Sequence, residues 1–247
     1  MLAALLIRAG IPARARCGFA SYFWPPEEHR WEDHWITEYW SASRRCWCQA
    51  DAQLDALQQQ QLRLDFDPRS LPAGKFLSAS QVWTKCRADE MDPESFRWDP
   101  FSGLTLIRWN LIRDVACLNK VEALGWDHWG GMFPLEEASL GPEELAVYDG
   151  IATRCTEDGQ LSALQARDRD DLRVRVPRTV WLMREVNGAY KTEASDSWQA
   201  GTTRWHCCRR WGFLALGLGW QSQPRTLLGY RCWCLKSGSV TGFSGTG

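Results

Sequence analysis

Residues 33–51 constrain the fold more than any other segment, because they have the pattern of two β-strands joined by a short turn. The segment consists of DHWITEYW, SASR and RCWCQAD, and its Trp, Tyr, Ile and Thr residues are typical of strands. If Ser41–Arg44 forms a four-residue turn, His34 lies directly opposite Asp51 in an antiparallel hairpin. Directly opposed side chains point the same way, with Cβ atoms about 4.5–5.5 Å apart. The spacing therefore predicts a contact between an imidazole and a carboxylate.

This contact would have a chemical consequence. A carboxylate beside a histidine orients the imidazole and stabilises its protonated form, as a general base requires. The alternative is that His34 is an ordinary strand histidine and Asp51 a turn-forming carboxylate.

The remaining patterns predict an α+β fold. Residues 1–10 have a helical, apolar composition, and alternation over residues 13–23 predicts a strand. Apolar residues at helical spacing predict the longest helix over residues 104–124. Further helices are expected over residues 54–64, 81–87, 142–155 and 163–171. Beyond about residue 185 no periodicity remains, and no architecture is predicted there.

The net charge of the 247-residue chain is −1, but two segments of opposite sign make up this sum. Residues 1–196 contain 23 basic and 30 acidic residues, whereas residues 197–247 contain six basic and no acidic ones. Taken at face value, the near-zero total argues against a chain that coats nucleic acid or an anionic membrane. Because it is the sum of an acidic body and a basic tail, the total alone does not indicate the partners of the chain. No apolar run approaches the roughly 20 residues of a membrane-spanning helix.

The ten cysteines do not indicate a secreted disulfide scaffold, since that signature belongs to short chains with a signal peptide. The apolar run that opens the chain is too short for a signal sequence and lacks a preceding basic residue. We therefore expect a cytoplasmic protein with reduced thiols. Several cysteines are expected to be small buried hydrophobic residues: Cys17, Cys46, Cys48, Cys86, Cys117 and Cys155.

Three stretches resemble the transglutaminase-like superfamily, specifically its bacterial members: LAALLIRAGIPARARCGFASYF, DHWITEYW and QADAQLD. In that family a helix ends in a Gly-Ile-Pro-Ala-Arg turn, the second strand begins with histidine, and the third ends at an aspartate. The resemblance is specific over residues 1–55 and continues more loosely to about Val180. It implies a papain-like fold in which a thiolate attacks an acyl carbonyl, a histidine exchanges the proton and an aspartate orients the histidine. The motifs assign the last two roles to His34 and Asp51.

The resemblance also places the nucleophilic cysteine at the start of the first helix, roughly two turns before Met1 at 3.6 residues per turn. Cys17 does not replace it, because Cys17 lies on the following strand, away from the helix N-terminus that would lower its pKa. We therefore expect a chain truncated before its nucleophile and inactive as written. The tail has a composition consistent with out-of-frame reading of a GC-rich gene, since the chain contains 24 Arg and 5 Lys.

Three alternatives remain open at this level. A zinc-binding tail could use His206-Cys207-Cys208 and the tight pair Cys232-x-Cys234. The same tail could bind nucleic acid through its basic residues and tryptophans. A non-catalytic binding scaffold could use polar residues on or near the long helix: Arg108, Asn110, Arg113, Asp114, Asn119 and Lys120. An amphipathic helix more often exposes such residues to solvent.

Together these patterns predict an α+β chain with a partial transglutaminase-like core over residues 1–80, a helical extension over residues 81–184 and an unpatterned tail over residues 185–247. His34 and Asp51 are the predicted catalytic residues. The expected parent chemistry is acyl transfer or amide hydrolysis on a peptide or amide substrate. No cofactor, metal, nucleic acid or membrane is expected to take part, and the sequence does not determine the oligomeric state.

Overall fold

The described part of the chain contains helices packed on two β-sheets, in a computed structural model that describes residues 2–121, 123–133, 140–156, 170–186 and 189–196. The helices are α1 (Leu2–Arg8), α2 (Ala56–Gln61), α3 (Ala79–Arg87), α4 (Gly103–Leu118) and α5 (Pro142–Thr156). The strands are β1 (Ala13–Ala20), β2 (Trp31–Ser41), β3 (Cys46–Ala50), β4 (Phe76–Ser78), β5 (Phe96–Trp98), β6 (Phe101–Ser102), β7 (Asp127–His128), β8 (Thr179–Val186) and β9 (Ala189–Asp196). This mixture of helices and mainly antiparallel strands confirms the α+β class.

The 11-residue strand β2 organises the larger sheet. Strand β1 pairs antiparallel with one edge of β2. The other edge pairs antiparallel with β3 near the end of β2 and parallel with β5 near its start. Strand β4 extends the sheet beyond β1, and β6 extends it beyond β5. The smaller sheet has the antiparallel order β7-β8-β9. His34 thus lies inside the larger sheet, opposite Gly18 of β1.

Local hydrogen bonds determine where several helices begin or end. Ser78 starts α3 with a capping box, because the Gln81 N–H donates to Ser78 Oγ at 3.3 Å and the Ser78 N–H donates to Gln81 Oε1 at 3.0 Å. Asp55 caps α2 by accepting the Gln58 N–H at 2.8 Å. Gly10, with φ of 79°, supplies the left-handed residue that follows α1. The Asp55 cap therefore anchors the chain four residues after Asp51.

Two clusters of buried apolar side chains hold these elements together. The larger one runs from Phe19 on β1 through α3, α4 and α5 to Met183 on β8. The smaller cluster comprises Ala20, Tyr22, Phe23, Ile36, Leu54, Leu71 and Phe76. Its members lie before, within and after the β2–β3 hairpin, so the smaller cluster forms the apolar surroundings of the candidate site.

The structure differs from the predicted segmentation in two respects. The junction at residues 80 and 81 lies inside α3, and residues 81–184, expected to be a helical extension, contain β5, β6, β7 and most of β8 as well as α4 and α5. Strands β8 and β9 form an antiparallel pair, and both include residues from 185 onward, where no architecture was predicted. The letters between these strands are Asn187-Gly188, a dipeptide that favours two-residue hairpins and could have identified this one. Residues 197–247, and most of the helix expected at 163–171, lie outside the described residues.

Candidate His–Asp site

The β2–β3 hairpin is shifted by two residues from the predicted register. Its turn occupies residues 42–45 instead of Ser41–Arg44, and Thr37 pairs with Ala50. If this register is extended by one residue, Asp51 lies opposite Ile36, and His34 is its diagonal neighbour. The predicted direct opposition of His34 and Asp51 is therefore wrong. A shift of two residues nevertheless leaves both side chains on the same face of the sheet.

His34 and Asp51 are in contact in spite of this shift. Nε2 of His34 lies 2.7 Å from Oδ2 of Asp51. Diagonal neighbours across an antiparallel pair are about 7–8 Å apart, a separation that long or aromatic side chains can bridge. A carboxylate at Nε2 favours the neutral tautomer that carries its proton on Nε2, so that Nδ1 is the free proton acceptor. Among the described residues, none makes a hydrogen bond to Nδ1.

Two further donors hold Asp51 in place. The Tyr22 hydroxyl donates to the same Oδ2 atom at 2.7 Å, and the Gln53 backbone N–H donates to Oδ1 at 2.9 Å. The Asp51 backbone N–H donates to the Pro68 carbonyl at 2.8 Å. Both the carboxylate and its backbone are thus fixed, and the direction of the imidazole is fixed with them.

Aromatic rings enclose the pair. The Phe23 ring meets the His34 ring edge to face, with centroids 4.8 Å apart, and the Tyr22 ring lies 6.1 Å away. Tyr22 in turn packs against Phe66. The side chains of His34 and Asp51 retain 8% and 1% of their accessible surface. Water is largely excluded from the contact, which strengthens its electrostatic component. Sequence reasoning missed Tyr22 and Phe23, although both belong to the stretch that carries the family resemblance.

The surroundings of Asp51 have opposing effects on its ionisation. Burial disfavours the charged carboxylate, but the hydrogen bond and charge of His34, together with the donors on Tyr22 and Gln53, outweigh this cost. The net result is a pKa of Asp51 below its ordinary value. Asp51 is therefore ionised at neutral pH and can stabilise a proton on His34.

A cavity of about 380 Å³ lies beside Asp51. It is lined by Asp51, Ala52, Leu54, Gln59, Asp67, Pro68 and Arg69. The cavity provides space for a group several atoms long next to the carboxylate.

Cys17 is not positioned as a partner of His34. It lies next to Gly18, which pairs with His34, so its side chain points to the opposite face of β1. Burial raises the pKa of the Cys17 thiol well above its ordinary value, and the neighbouring Cys117 adds to the effect. Such a thiol is unreactive. Among the described residues, no thiol makes a hydrogen bond to His34.

The cysteines expected to be buried divide into three groups. Cys17, Cys48, Cys86 and Cys155 are buried, whereas Cys117 is half-buried. Cys46 is exposed, so the expectation is wrong for this residue.

A buried charge network, which sequence reasoning also missed, lies on β1, β2 and α4. Arg16 donates to both carboxylate oxygens of Asp114, at 2.9 and 2.7 Å, and to Glu38 at 3.0 Å. Asp114 also accepts the backbone N–H of Cys17 at 3.0 Å. Glu38 accepts a further hydrogen bond from Arg14 at 2.7 Å. The two arginines and two carboxylates balance in charge and tie the first strands to α4.

Four of the six polar residues on or near α4 contradict the expectation of a solvent-exposed face, since Arg108, Asn110, Arg113 and Asp114 are buried. Asn119 is half-buried and Lys120 is exposed, as expected of a solvated face. Arg113 donates to Asn110 Oδ1 at 3.0 Å and approaches His128 Nε2 at 3.3 Å. Burial and the charge of Arg113 lower the pKa of His128 to about 3. His128 is therefore neutral and structural, with Nδ1 donating to the Trp126 carbonyl at 3.1 Å.

Within the described ranges, no group of three or more His, Cys, Asp or Glu side chains is arranged to hold a metal ion. The tail residues considered for zinc or nucleic acid, including His206, Cys207, Cys208, Cys232 and Cys234, lie outside the described residues. Among the described helices, none combines the length and apolar character needed to cross a bilayer.

No family model, curated protein or solved structure matches this chain.

Proposed function

We propose that His34 and Asp51 are the general base and orienting carboxylate of a thiol acyl-transfer site of the transglutaminase-like kind, acting on a peptide or amide substrate. The observation that carries this proposal is the 2.7 Å contact between Nε2 and Asp51, which leaves Nδ1 to accept a proton. Tyr22 binds the same carboxylate oxygen and keeps Asp51 from rotating. A positioned imidazole typically contributes about 10²–10⁴-fold to such a reaction.

In the proposed reaction, Nδ1 of His34 takes the proton of a thiol as the sulfur attacks the acyl carbonyl. The proton then passes from Nδ1 to the leaving amine as the carbon–nitrogen bond breaks, which yields a thioester. Water or a second amine attacks the thioester and releases the thiol, with His34 again accepting and returning the proton. Asp51 stabilises the intermediate imidazolium because it is ionised at neutral pH.

The proposed nucleophile is a thiol ahead of α1. Helix α1 contacts β1 and β2 and is joined to β1 through residues 9–12. If α1 runs antiparallel to β1, its N-terminus points toward the level of Gly18, which lies opposite His34. From Ala13 to Gly18, β1 rises about 17 Å. Helix α1 covers about 10 Å, and two further turns would add about 11 Å. In that orientation a thiol about two turns ahead of Met1 would lie near the level of His34. Since no thiol among the described residues makes a hydrogen bond to His34, we expect residues 1–247 alone to lack thiol-dependent activity.

The test compares three chains: residues 1–247, the same chain with a two-turn helical extension that begins with Cys, and a matched extension that begins with Ser. Each chain is mixed with p-nitrophenyl acetate, and acylation is followed by nitrophenol release and by intact mass. We expect a burst and a stable acetyl adduct only for the Cys extension.

Substitutions in the Cys-extended chain then test the two assigned residues. His34→Gln should slow acylation by about 10²–10⁴-fold. Asp51→Asn should also slow it, because the imidazole loses its orienting charge, whereas Cys17→Ser should leave the rate unchanged. Full-rate acylation in the His34→Gln chain would contradict the proposal. Robust turnover by residues 1–247 that is lost on alkylation of Cys17 would contradict it as well.

The binding-scaffold alternative depended on a pocket formed by polar residues of the long helix. Arg108, Asn110, Arg113 and Asp114 are buried in the interior and do not line the cavity beside Asp51. No observation therefore favours this alternative over the acyl-transfer site.

A further inference from the structure

Two thiol side chains project from the same face of strand β3. Cys46 opens the strand and is exposed, and Cys48 follows two residues later with 7% of its surface accessible. Side chains two residues apart in a strand point in the same direction. Desolvation, followed by the hydrogen bond and charge of the neighbouring Cys48 thiol, raises the pKa of Cys46. One sulfur is therefore open to solvent and the other lies just beneath it.

A guanidinium lies beside this pair. Arg44, in the turn before β3, donates from Nη1 to the Cys48 sulfur at 3.9 Å. The same nitrogen donates to Ser70 Oγ at 2.9 Å, which holds the arginine against the thiols. Tyr39 pairs with Cys48 across the hairpin, and its hydroxyl donates to the Arg69 carbonyl at 3.1 Å. The thiols thus have a fixed positive charge on one side and a fixed ring on the other.

The spacing of the two cysteines suits a bridging metal ion better than a disulfide. Positions two apart in a strand have Cα atoms about 6.7 Å apart. This value lies at the upper limit of the roughly 4.4–6.8 Å observed across disulfides. Two metal–sulfur bonds of about 2.3 Å each require sulfur atoms only about 4.6 Å apart. Since no third His, Cys, Asp or Glu ligand joins them in the described part of the chain, the geometry favours an ion that accepts two ligands.

We propose that Cys46 and Cys48 form a two-coordinate site for a soft monovalent metal ion of the Cu(I) class. Thiolates select such ions over harder cations. Binding replaces two S–H bonds by two metal–sulfur bonds and releases two protons to solvent, with no change in oxidation state. The bound unit of one Cu(I) and two thiolates carries one negative charge, which the guanidinium of Arg44 balances.

The test measures Cu(I) binding by the reduced, full-length chain under anaerobic conditions, in competition with a chromophoric Cu(I) chelator. The tail cysteines would add their own sites, so they are first replaced by serine. These background substitutions are Cys207→Ser, Cys208→Ser, Cys232→Ser and Cys234→Ser.

In this background we expect one tightly bound Cu(I) per chain. Cys46→Ser and Cys48→Ser should each abolish it. Arg44→Gln should weaken binding by roughly threefold to tenfold, the scale of one partly exposed charge contact. The matched control Arg45→Gln, in the same turn, should leave the affinity unchanged. Undiminished Cu(I) binding after Cys46→Ser and Cys48→Ser would overturn the proposal.

A second measurement uses the chain with the four tail substitutions and needs no substitution at Cys46 or Cys48. Iodoacetamide labelling is followed peptide by peptide, with and without one equivalent of Cu(I). We expect the metal to protect Cys46 at least tenfold and to leave Cys117, which lies outside the site, labelled at its original rate. Equal labelling of Cys46 in both conditions would also overturn the proposal.

Discussion

Replacing Asp51 by asparagine should destabilise the protein at neutral pH and have a smaller effect in acid. The amide preserves the size and shape of the carboxylate, but it is uncharged and has an NH2 group in place of one acceptor oxygen. In the wild type this charge accepts hydrogen bonds from His34 Nε2, the Tyr22 hydroxyl and the Gln53 N–H, at 2.7, 2.7 and 2.9 Å. The substitution therefore tests the contribution of the ionised carboxylate.

The magnitude follows from these three contacts. A hydrogen bond to a charged group contributes about 1.5–3 kcal/mol, whereas a neutral one contributes about 0.5–1.5 kcal/mol. With the amide oxygen toward His34 and Tyr22, two charged contacts become neutral, which should cost about 2–3 kcal/mol at pH 7, and loss of the Gln53 contact adds to this cost. The Asp51 side chain is only 1% exposed, so solvent screening does not reduce this value. For a domain of this size the loss corresponds to a fall in Tm of roughly 5–10 °C.

The pH dependence gives the sharper test. The folded-state pKa of Asp51 is lowered, so its stabilising contribution is fully present above the ordinary carboxyl pKa. It is lost as the pH falls below about 3.9 and through the lower folded-state pKa. At pH 3 the unfolded wild type is already largely protonated at residue 51, so the stability difference between the variant and the wild type should be smaller than at pH 7.

Urea unfolding followed by tryptophan fluorescence at pH 7 and pH 3 measures both quantities. The matched control is Asp67→Asn, an exposed carboxylate paired with Arg69 near the same cavity, which should behave like the wild type at both pH values. If Asp51→Asn costs the same free energy at pH 3 as at pH 7, the charge of Asp51 is not what stabilises this site.

Three further predictions concern the framework of the site. Asp114→Asn removes the buried charge that accepts two hydrogen bonds from Arg16. The free energy of unfolding, measured in urea, should fall by about 3–5 kcal/mol. A fall of less than about 1 kcal/mol would contradict the proposed ion network. Burial raises the pKa of Asp33 to about 7, so wild-type stability should fall as the pH rises from about 4 through 7. Asp33→Asn should remove this decline in Tm between pH 5 and pH 8, and an unchanged profile would refute the assignment. Gly18→Ala would bring a Cβ into collision with the Leu77 carbonyl of β4, so we expect a sharp drop in folded yield and in Tm, and a wild-type Tm would rule out this close pairing.

The hairpin shows how much the sequence could predict. The Trp, Tyr, Ile and Thr residues of the segment identified both strands. The face shared by His34 and Asp51 was also predicted, because the side-chain period of a strand is fixed at two. The turn was placed one residue too early, since nothing in SASRR marks which four residues close it. In the structure Arg45 takes up the left-handed conformation, with φ of 52°, at the end of this turn. The resulting error is an even number of residues, so it changed the partners and not the face.

The interior of α4 shows what the sequence could not predict. Its polar residues have a spacing that also fits a solvent-exposed helix face. Their burial depends on partners that are distant in the sequence, such as Arg16 for Asp114 and His128 for Arg113. A period calculated along one helix contains no information about a charge on a strand about one hundred residues away. Such networks become visible only when the chain is folded.

The two proposed sites occupy opposite faces of one hairpin, and this arrangement makes them independently testable. Trp47 pairs with Trp40, so the face of β3 that carries Trp47 also carries Gln49 and then Asp51. Cys46 and Cys48 occupy the alternate positions and therefore the other face. Substitutions more than about 7–10 Å apart without shared partners usually act additively. Asp51→Asn should thus leave Cu(I) affinity unchanged, and Cys46→Ser should preserve the pH dependence attributed to Asp51. A coupled response would show that the hairpin itself, and not either site, responds to the substitutions.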